Sequence, residues 1–423
     1  MKKELNQYDV IVIGAGASGI IAAGSAASKG AKVMVVEKMH KPGRKLLITG
    51  RGRCNITHQA DIPFFYENIT NNPRFLKHAF NSFFVDDILK ILHDQGVPTT
   101  LERGNHVFPV SNQAMDVLKA LMSWVRRFDV EFIYDCKVKE LIIEEGALRG
   151  VAAETPKGKV NFLASKVIIC TGGKSYPETG SSGDGYMLAK QAGHSIVEPK
   201  PALLPLITRG DTAGKMQGLG LSSVKVVVWA DGKKIAERLG DVMFAHYGFS
   251  GPAIYYLSRF VIEKLSEGCK VELSIDLIPE QDEKTLDKRL LQEIDNHGKM
   301  QFDNILKRFI PSGLAEVILE LTKIDGEKIC NKVSAQERKQ VLKLIKDFRF
   351  EVSGHHGFKQ AIITAGGVST TEISSKTMES KILKNLFFAG EVIDIDANTG
   401  GFNLQLAYST GWLAGQSASN DIL

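Results

Sequence analysis

The pattern of apolar and polar positions changes period along this chain, and each change marks an element. Val10 to Ile13 form a short continuous apolar run, as a strand buried on both faces does. The stretch that follows is rich in Ala, Gly and Ser and reads as a tightly packed helix. A second apolar run, Lys32 to Val36, ends at Glu37. The pattern over 9–37 is that of a β–α–β unit. Residues 73–96 carry apolar positions at helical spacing, and a further helix is expected over about 113–127, capped by Ser111 or Asn112. From 129 to 170 the period falls to two, with turns at Glu145-Gly146 and at Pro156 to Gly158, as in a small meander. Lys166 to Cys170 reads as a buried parallel strand, and 185–192 as a helix.

Beyond 194 short strands alternate with Pro and Gly. Pro199, Pro201 and Pro205 mark an entry linker, and Asp231-Gly232 is a hairpin signal. Ser250 or Gly251 caps a helix with Pro252 in its first turn. Residues 280–347 are charged and helix-periodic. Strands return at 348, Leu386 to Phe388 is a last buried strand, and a helix is expected over 403–418. The fold class is therefore α/β: a discontinuous Rossmann-like domain over 1–193 and 348–423, with a β-rich domain (194–279) and a helical domain (280–347) inserted.

The details of 9–37 give the first chemistry. Gly14, Gly16 and Gly19 form GxGxxG between strand and helix, and Glu37 closes the second strand 18 residues later. The first glycine permits a tight turn, the second lets backbone approach a pyrophosphate, and the third lets helix and strand pack. The helix N-terminus, at Ala17 and Ser18, offers unpaired N–H groups and the positive end of its dipole. Glu37 can accept from ribose hydroxyls. Lys2 and Lys3 ahead of an apolar stretch ending in Ala26, Ala27 and Ser28 also suit a leader or a membrane helix. Asp9, the many Gly and Ser, and a run far below the ~20 apolar residues of a span argue against it.

Composition narrows the class. The 423 residues hold 53 basic and 48 acidic side chains, a net charge of +5. With the basic residues interspersed among acids, no nucleic-acid or membrane partner is expected. Cys54, Cys136, Cys170, Cys269 and Cys330 are scattered, with no CxxC, which points to reduced thiols in the cytoplasm and away from zinc or a disulfide relay.

Four further stretches look ligand-binding. KMHKPGRKLLITGRGRCNITH after Glu37 reads as a loop whose glycines can lie flat against a planar or anionic ligand. Thr171, Gly172 and Gly173 form a second backbone-exposing turn. Gly390 and Glu391 end the last strand. Gly400, Gly401, Phe402 and Asn403 open the final helix. No second GxGxxG follows, since GSSGDG at 180–185 has the wrong spacing, so no dedicated nicotinamide domain is expected.

Taken in order, GRKLLITGRGRCNIT, HVFPVS, CTGGKSYPETGSSGDGY, HYGFSGP, ITAGGV and AGEVIDIDANTGGFN resemble a family of bacterial NAD(P)/FAD-dependent oxidoreductase flavoproteins, one that includes aminoacetone oxidase and the bile-acid-inducible 3-dehydro-bile-acid reductase. The resemblance runs nearly end to end. It implies FAD, held by Gly14, Gly16, Ala17, Ser18, Gly19, Glu37 and Lys38. In the loop it implies Lys45, Thr49, Gly50, Gly52, Arg53, Cys54 and Asn55, and near the C-terminus Gly390, Glu391, Asp394, Gly401, Phe402 and Asn403. By similarity to the wider flavoprotein class, the backbone at Val138 meets adenine and Thr171 with Gly172 lies near the cofactor. Two positions depart from the family: Arg51 stands where many relatives carry a third glycine, and His106 where they carry a basic residue.

The expected function is an FAD-dependent oxidoreductase acting on a small organic substrate, with hydride passing through flavin N5. Whether NAD(P)H docks transiently as donor or the substrate itself delivers electrons stays open, as does a homodimer. A flavin oxidase acting on an amine or aminoketone, and an RNA-associated or sensor flavoprotein with little turnover, are the alternatives. No pattern identifies a catalytic group. The inserted region, about 194–355, is expected to wall the substrate site, with His246, Tyr247 and His106 as candidates for polar contacts.

Overall fold

The computed structural model describes residues 7–420, so Lys2 and Lys3 lie outside the described residues. The chain divides into two compact units: Met1–Pro201 with Ala361–Leu423, and Ala202–Gln360.

The first unit is built on a parallel sheet. Strand β1 (Gln7–Ile13) leads through helix α1 (Ala17–Ala27) to strand β2 (Val33–Val36). Across the sheet the order is Glu131–Ile133, β2, β1, then the long strand Gly158–Ile169, with Leu386–Phe388 also parallel to the latter's end. Val10, Ile11 and Val12 are fully buried, and so are Met34 and Val35, which explains the continuous apolar runs. Because these strands are parallel, Gly14, Glu37, Cys170 and Ala389 all follow strand ends on one edge of the sheet. In open α/β sheets that edge is where ligands bind. The first half of Gly158–Ile169 instead pairs antiparallel with Ala147–Thr155, which pairs with Lys137–Glu144, completing the expected meander.

Helix α1 packs face to face against the C-terminal helix Phe402–Ser419. The approach depends on glycine: a Cβ on Gly411 would lie 2.4 Å from the Ser18 carbonyl oxygen, and one on Gly415 would lie 2.3 Å from that of Ala22. The helical stretch at 73–96 resolves into a 3-10 turn, Pro73–Leu76, and the helices Lys77–Ser82 and Val85–Asp94. Helix Ala114–Arg126 is not capped by Ser111 or Asn112. Its N-cap is Gln113, and the Asn112 Oδ1 instead accepts from Arg53 Nε at 2.7 Å.

The second unit is a closed six-stranded barrel with helices. Its strands run in the order Leu206–Thr208, Gly248–Ser250, Lys233–Ala245, Gly220–Ala230, Val271–Asp276, Phe348–His355. The hairpin turn falls at Asp231 and Gly232, both with positive φ (47° and 77°), and Pro252 sits in the first turn of helix Pro252–Ser266, whose N-cap is Gly251. Strand Phe348–His355, which the sequence reading joined to the returning nucleotide-binding domain, pairs with Val271–Asp276 and Leu206–Thr208 and closes the barrel. The helices Glu283–Asn296, Phe302–Leu306, Ser312–Thr322 and Ala335–Lys346 share one apolar core with the barrel.

Candidate FAD site

The three glycines after β1 divide into two roles. A Cβ on Gly14 (φ 103°) would lie 2.6 Å from the Cys170 carbonyl oxygen, and one on Gly19 would lie 1.9 Å from that of Gly14. Those two are packing positions. A Cβ on Gly16 would meet nothing within 4 Å, so open space lies beside the residue that caps α1. No side chain caps that helix and no acid occupies its first turn. Its free N–H groups and open flank suit a pyrophosphate. This is the fit that a dinucleotide requires of the fold.

At the end of β2 the Glu37 carboxylate already organises the turn. Its Oε2 accepts from Ala15 N at 2.7 Å and its Oε1 from Met39 N at 2.8 Å. Burial pushes its acidity down, raising the pKa, against the pull of those amides. Each oxygen keeps a second lone pair for a ribose hydroxyl. The Cys136 N donates to the Glu37 carbonyl at 3.0 Å, which brings Val138, 5% exposed, beside this corner. Lys38 donates to Asp184 at 2.6 Å, and Lys137 reaches the same carboxylate at 3.1 Å.

The stretch after Glu37 is more ordered than a loop: it contains helix Arg44–Ile48 and the 3-10 turn Thr49–Gly52. Gly50, Arg51, Gly52 and Cys54 all have positive φ (56°, 60°, 86° and 62°). Arg51 therefore takes the conformation that glycine adopts at no steric cost. Arg53 pairs with Glu102 and stacks over Phe108 at 4.1 Å, so it anchors the turn. Thr49 Oγ1 donates to the Leu46 carbonyl at 2.6 Å. Cys54 is fully buried, and burial pushes its thiol up to about 12, so it is inert as a nucleophile.

Lys45 stands at the centre of a partly buried polar network. Its Nζ donates to Glu391 Oε2 at 2.6 Å and to Ser175 Oγ at 2.5 Å. Glu391 Oε1 accepts from Ser175 Oγ at 2.9 Å and from Thr364 N at 2.7 Å. Thr364 Oγ1 in turn accepts from the amides of Lys174 and Ser175 at 2.8 and 3.0 Å. Thus the loop, the Thr171–Gly173 turn, the ITAGGV strand and the Gly390–Glu391 turn meet. A Cβ on Gly172 (φ 71°) would lie 2.9 Å from Ser181 Oγ, and one on Gly185 would lie 2.1 Å from Thr171 Oγ1. Ser18 Oγ would lie 2.5 Å from a Cβ on Gly390, whose N donates to Thr410 Oγ1 at 3.0 Å. Asp394 lies deeper, with Oδ2 accepting from Asn71 Nδ2 at 2.9 Å, and burial raises its pKa.

At the start of the C-terminal helix, Asn403 closes its own turn by bonding Ala397 N and O at 3.0 and 2.8 Å. Asn55, with its amide assigned so that each donor meets an acceptor, donates to Thr57 O at 3.1 Å. Its Oδ1 accepts from Gly401 N at 3.3 Å and His106 Nδ1 at 3.2 Å. His58, which the sequence reading passed over, donates from Nδ1 to the Gly400 carbonyl at 3.2 Å and stacks on Phe402 at 4.6 Å between centroids. Its position three residues after Asn55 was the available signal. His246 and Tyr247 belong to the second unit, in the turn between two barrel strands, with Tyr247 edge-on to His356 at 4.9 Å. Among the described residues there is no metal-binding cluster and no helix long and apolar enough to cross a membrane.

The profile of the HI0933-like protein Rossmann domain family matches residues 8–417. The chain belongs to this family. Members of it are FAD-binding flavoproteins of oxidoreductase type, in agreement with the Gly16 opening and the Rossmann sheet. The chain is 31% identical to a 3-dehydro-bile acid delta(4,6)-reductase of Clostridium scindens over 96% of its own length and 98% of the relative's. It is 29% identical to a ribosomal RNA dihydrouridine synthase of Escherichia coli over 97% and 98%, and 30% identical to one of Haemophilus influenzae over 98% and 100%. Among solved structures, the fold is similar to a flavocytochrome c3 fumarate reductase (TM-score 0.52, 16% identity, 99% of this chain and 79% of that one). It is also similar to a 3-ketosteroid-delta4-(5alpha)-dehydrogenase of Rhodococcus jostii RHA1 (TM-score 0.51, 15% identity, 99% and 98%).

Proposed function

We propose that this chain is an FAD-dependent reductase that saturates a carbon–carbon double bond conjugated with a carbonyl. The observation that carries the proposal is the uncapped, open helix N-terminus at Gly16, in a chain matched end to end by relatives named for reactions of that type. A 3-dehydro delta(4,6) bile acid presents double bonds conjugated with a ketone. Dihydrouridine is uridine whose ring double bond, next to a carbonyl, has been saturated. Bound FAD supplies the two-electron chemistry. The chain's part is to hold the pyrophosphate at Gly16 to Ser18 and the ribose at Glu37. The Lys45–Glu391–Ser175 network presents charge-assisted donors to the polar edge of the cofactor. NAD(P)H is the proposed donor, docking without a domain of its own.

Uridine in ribosomal RNA is the first substrate to test, and a small steroid-like enone the second. Two of the three relatives act on ribosomal RNA by name. The small net charge of +5, spread among acids, argued against nucleic acid, but the stretch from Lys38 to Ala60 holds six cations and no acid. Of these, Lys41 and Arg44 pair with no carboxylate among the described residues, which leaves them for phosphates. The test is anaerobic: the FAD-loaded protein, reduced by NADPH or NADH, is mixed with ribosomal RNA from a strain lacking this gene or with 4-androstene-3,17-dione. Mass spectrometry then reads dihydrouridine or the saturated ketone. Formation of either supports the reaction class and identifies the substrate. No saturated product from either, with the flavin reduced, contradicts the proposal.

A further inference from the structure

We propose that His106 is the proton donor of this reductase, that Asn55 and the Gly400 carbonyl set its tautomer, and that His58 packs edge-on against it as a positioning residue; the inference rests on the reaction class proposed above. His106 begins strand His106–Pro109 and lies between two stretches read as cofactor-binding, Asn55 in the loop and Gly400 at the start of the C-terminal helix. Its Nδ1 is 3.2 Å from Asn55 Oδ1 and 3.3 Å from the Gly400 carbonyl oxygen. Both are acceptors, so Nδ1 carries hydrogen and the other nitrogen, Nε2, is the one that gains or loses a proton.

No hydrogen bond to Nε2 is made among the described residues, and two glycines adjoin the ring on that side. A Cβ on Gly104 would lie 3.4 Å from Nε2, and one on Gly400 would lie 3.0 Å from Cε1. Two glycines with positive φ (77° and 127°) thus flank the ring and leave its free nitrogen approachable. His58 meets His106 edge-to-face with centroids 5.5 Å apart and shares the Gly400 carbonyl. Burial, with the nearby His106, pushes the His58 pKa below its usual value. The other charges facing His106 are Glu102, directly across the strand pair, and Arg53, which engages that carboxylate.

Saturating a conjugated double bond takes one hydride and one proton. Bound and reduced FAD would supply the hydride with its electron pair to the β-carbon, which leaves the π electrons on the carbonyl as an enolate. The α-carbon takes H+ from His106 Nε2–H, leaving a neutral imidazole that solvent reprotonates. Asn55 Oδ1, the Gly400 carbonyl and the edge-on His58 ring keep the imidazole aimed throughout.

The test uses the FAD-loaded full chain with His106→Gln and His58→Gln. Each variant is reduced with stoichiometric dithionite and mixed with the two probes named above. For His106→Gln the expected result is normal FAD content, reoxidation by dissolved oxygen as in the wild type, and product formation slowed roughly 10²- to 10³-fold, with the alkaline limb of the pH–rate profile lost. His58→Gln is expected to shift that limb while retaining it. Independently, imidazole 15N NMR is expected to show Nδ1–H on His106, with an Nε2 that titrates. Product formation by His106→Gln within threefold of the wild type, or an Nε2–H neutral tautomer, overturns the inference. If the wild type forms no product, it is the reaction class that fails, and the tautomer measurement still decides the placement of the proton.

Discussion

The two units differ in what they bury. Among the described residues, the second unit buries only the polar side chains of Thr208, Ser258 and Ser274 beneath an aliphatic and aromatic core. Ser258 Oγ takes the Leu204 amide at 3.1 Å and Ser274 Oγ donates to Asp347 at 2.5 Å, so these hydroxyls serve local structure. The first unit buries His58, His194, Asp394, Asp396, Gln405 and a set of hydroxyls. Burying such groups costs stability unless each is bonded, and a chain that folds for stability alone has no need of them. Such groups accord with a unit shaped for a ligand, as the proposed function requires, while the barrel and its helices carry a core of ordinary kind.

Variants in each unit can break or sharpen that contrast. Phe249 is fully buried in the barrel, and Phe249→Ala should cost about 3–5 kcal/mol in urea unfolding while FAD content at low temperature stays near one per chain. Loss of FAD along with stability would mean the two cores do not act separately. Gly19→Val should cost about 3 kcal/mol and abolish FAD binding, since its Cβ would press on backbone that cannot give way. Lys45→Met strands Glu391 in a pocket where the lysine and glutamate side chains are 24% and 21% exposed, and should cost about 1–3 kcal/mol by the same assay. Gly16→Val is the converse of Gly19→Val: with open space on its flank, stability should hold within about 0.5 kcal/mol while FAD affinity falls at least about tenfold. Unchanged affinity there would show that the open space is not the pyrophosphate seat.

The smallest expected effect is a pH slope in the first unit. Burial pushes His58 and His194 below the ordinary 6.5, so the folded state binds fewer protons than the unfolded one as pH falls past that value. Stability contributed by these groups is full above 6.5 and declines as pH drops toward their folded pKa. His194 is wedged between Glu372, 3.2 Å from Nδ1, and Ser380, 2.7 Å from Nε2. His194→Gln should therefore flatten the decline between about pH 6.5 and 5 in thermal unfolding. An unchanged slope would assign the effect elsewhere.

Much of the first unit was legible because its signals are local. The β–α–β unit needs only a continuous apolar run, three glycines and an acid, and Leu386–Phe388 stands out as an apolar run before Gly390. The hairpin at Asp231-Gly232 and the Gly251-Pro252 helix start were equally local. Barrel closure was not legible. Whether Phe348–His355 pairs with Val271–Asp276 or joins another sheet is decided by partners some 75 residues away, which an alternating pattern does not name. The cap of Ala114–Arg126 was misjudged for a related reason: Asn112 satisfies Arg53, 59 positions earlier in the chain. In the candidate site, glycine spacing marked the turn after β1 but did not tell the packing glycines Gly14 and Gly19 from the open Gly16. His58 ends the stretch read as ligand-binding but was not singled out, because a lone histidine carries no pattern until Gly400 is brought to it.

The central claim, that the first unit is an FAD cradle, is tested most directly by the cofactor itself. Protein purified with FAD supplementation, stripped of excess ligand and heat-denatured, should release about one FAD per chain, identified by chromatography and mass. Release of FMN, or of no flavin at all from folded protein, would contradict the account.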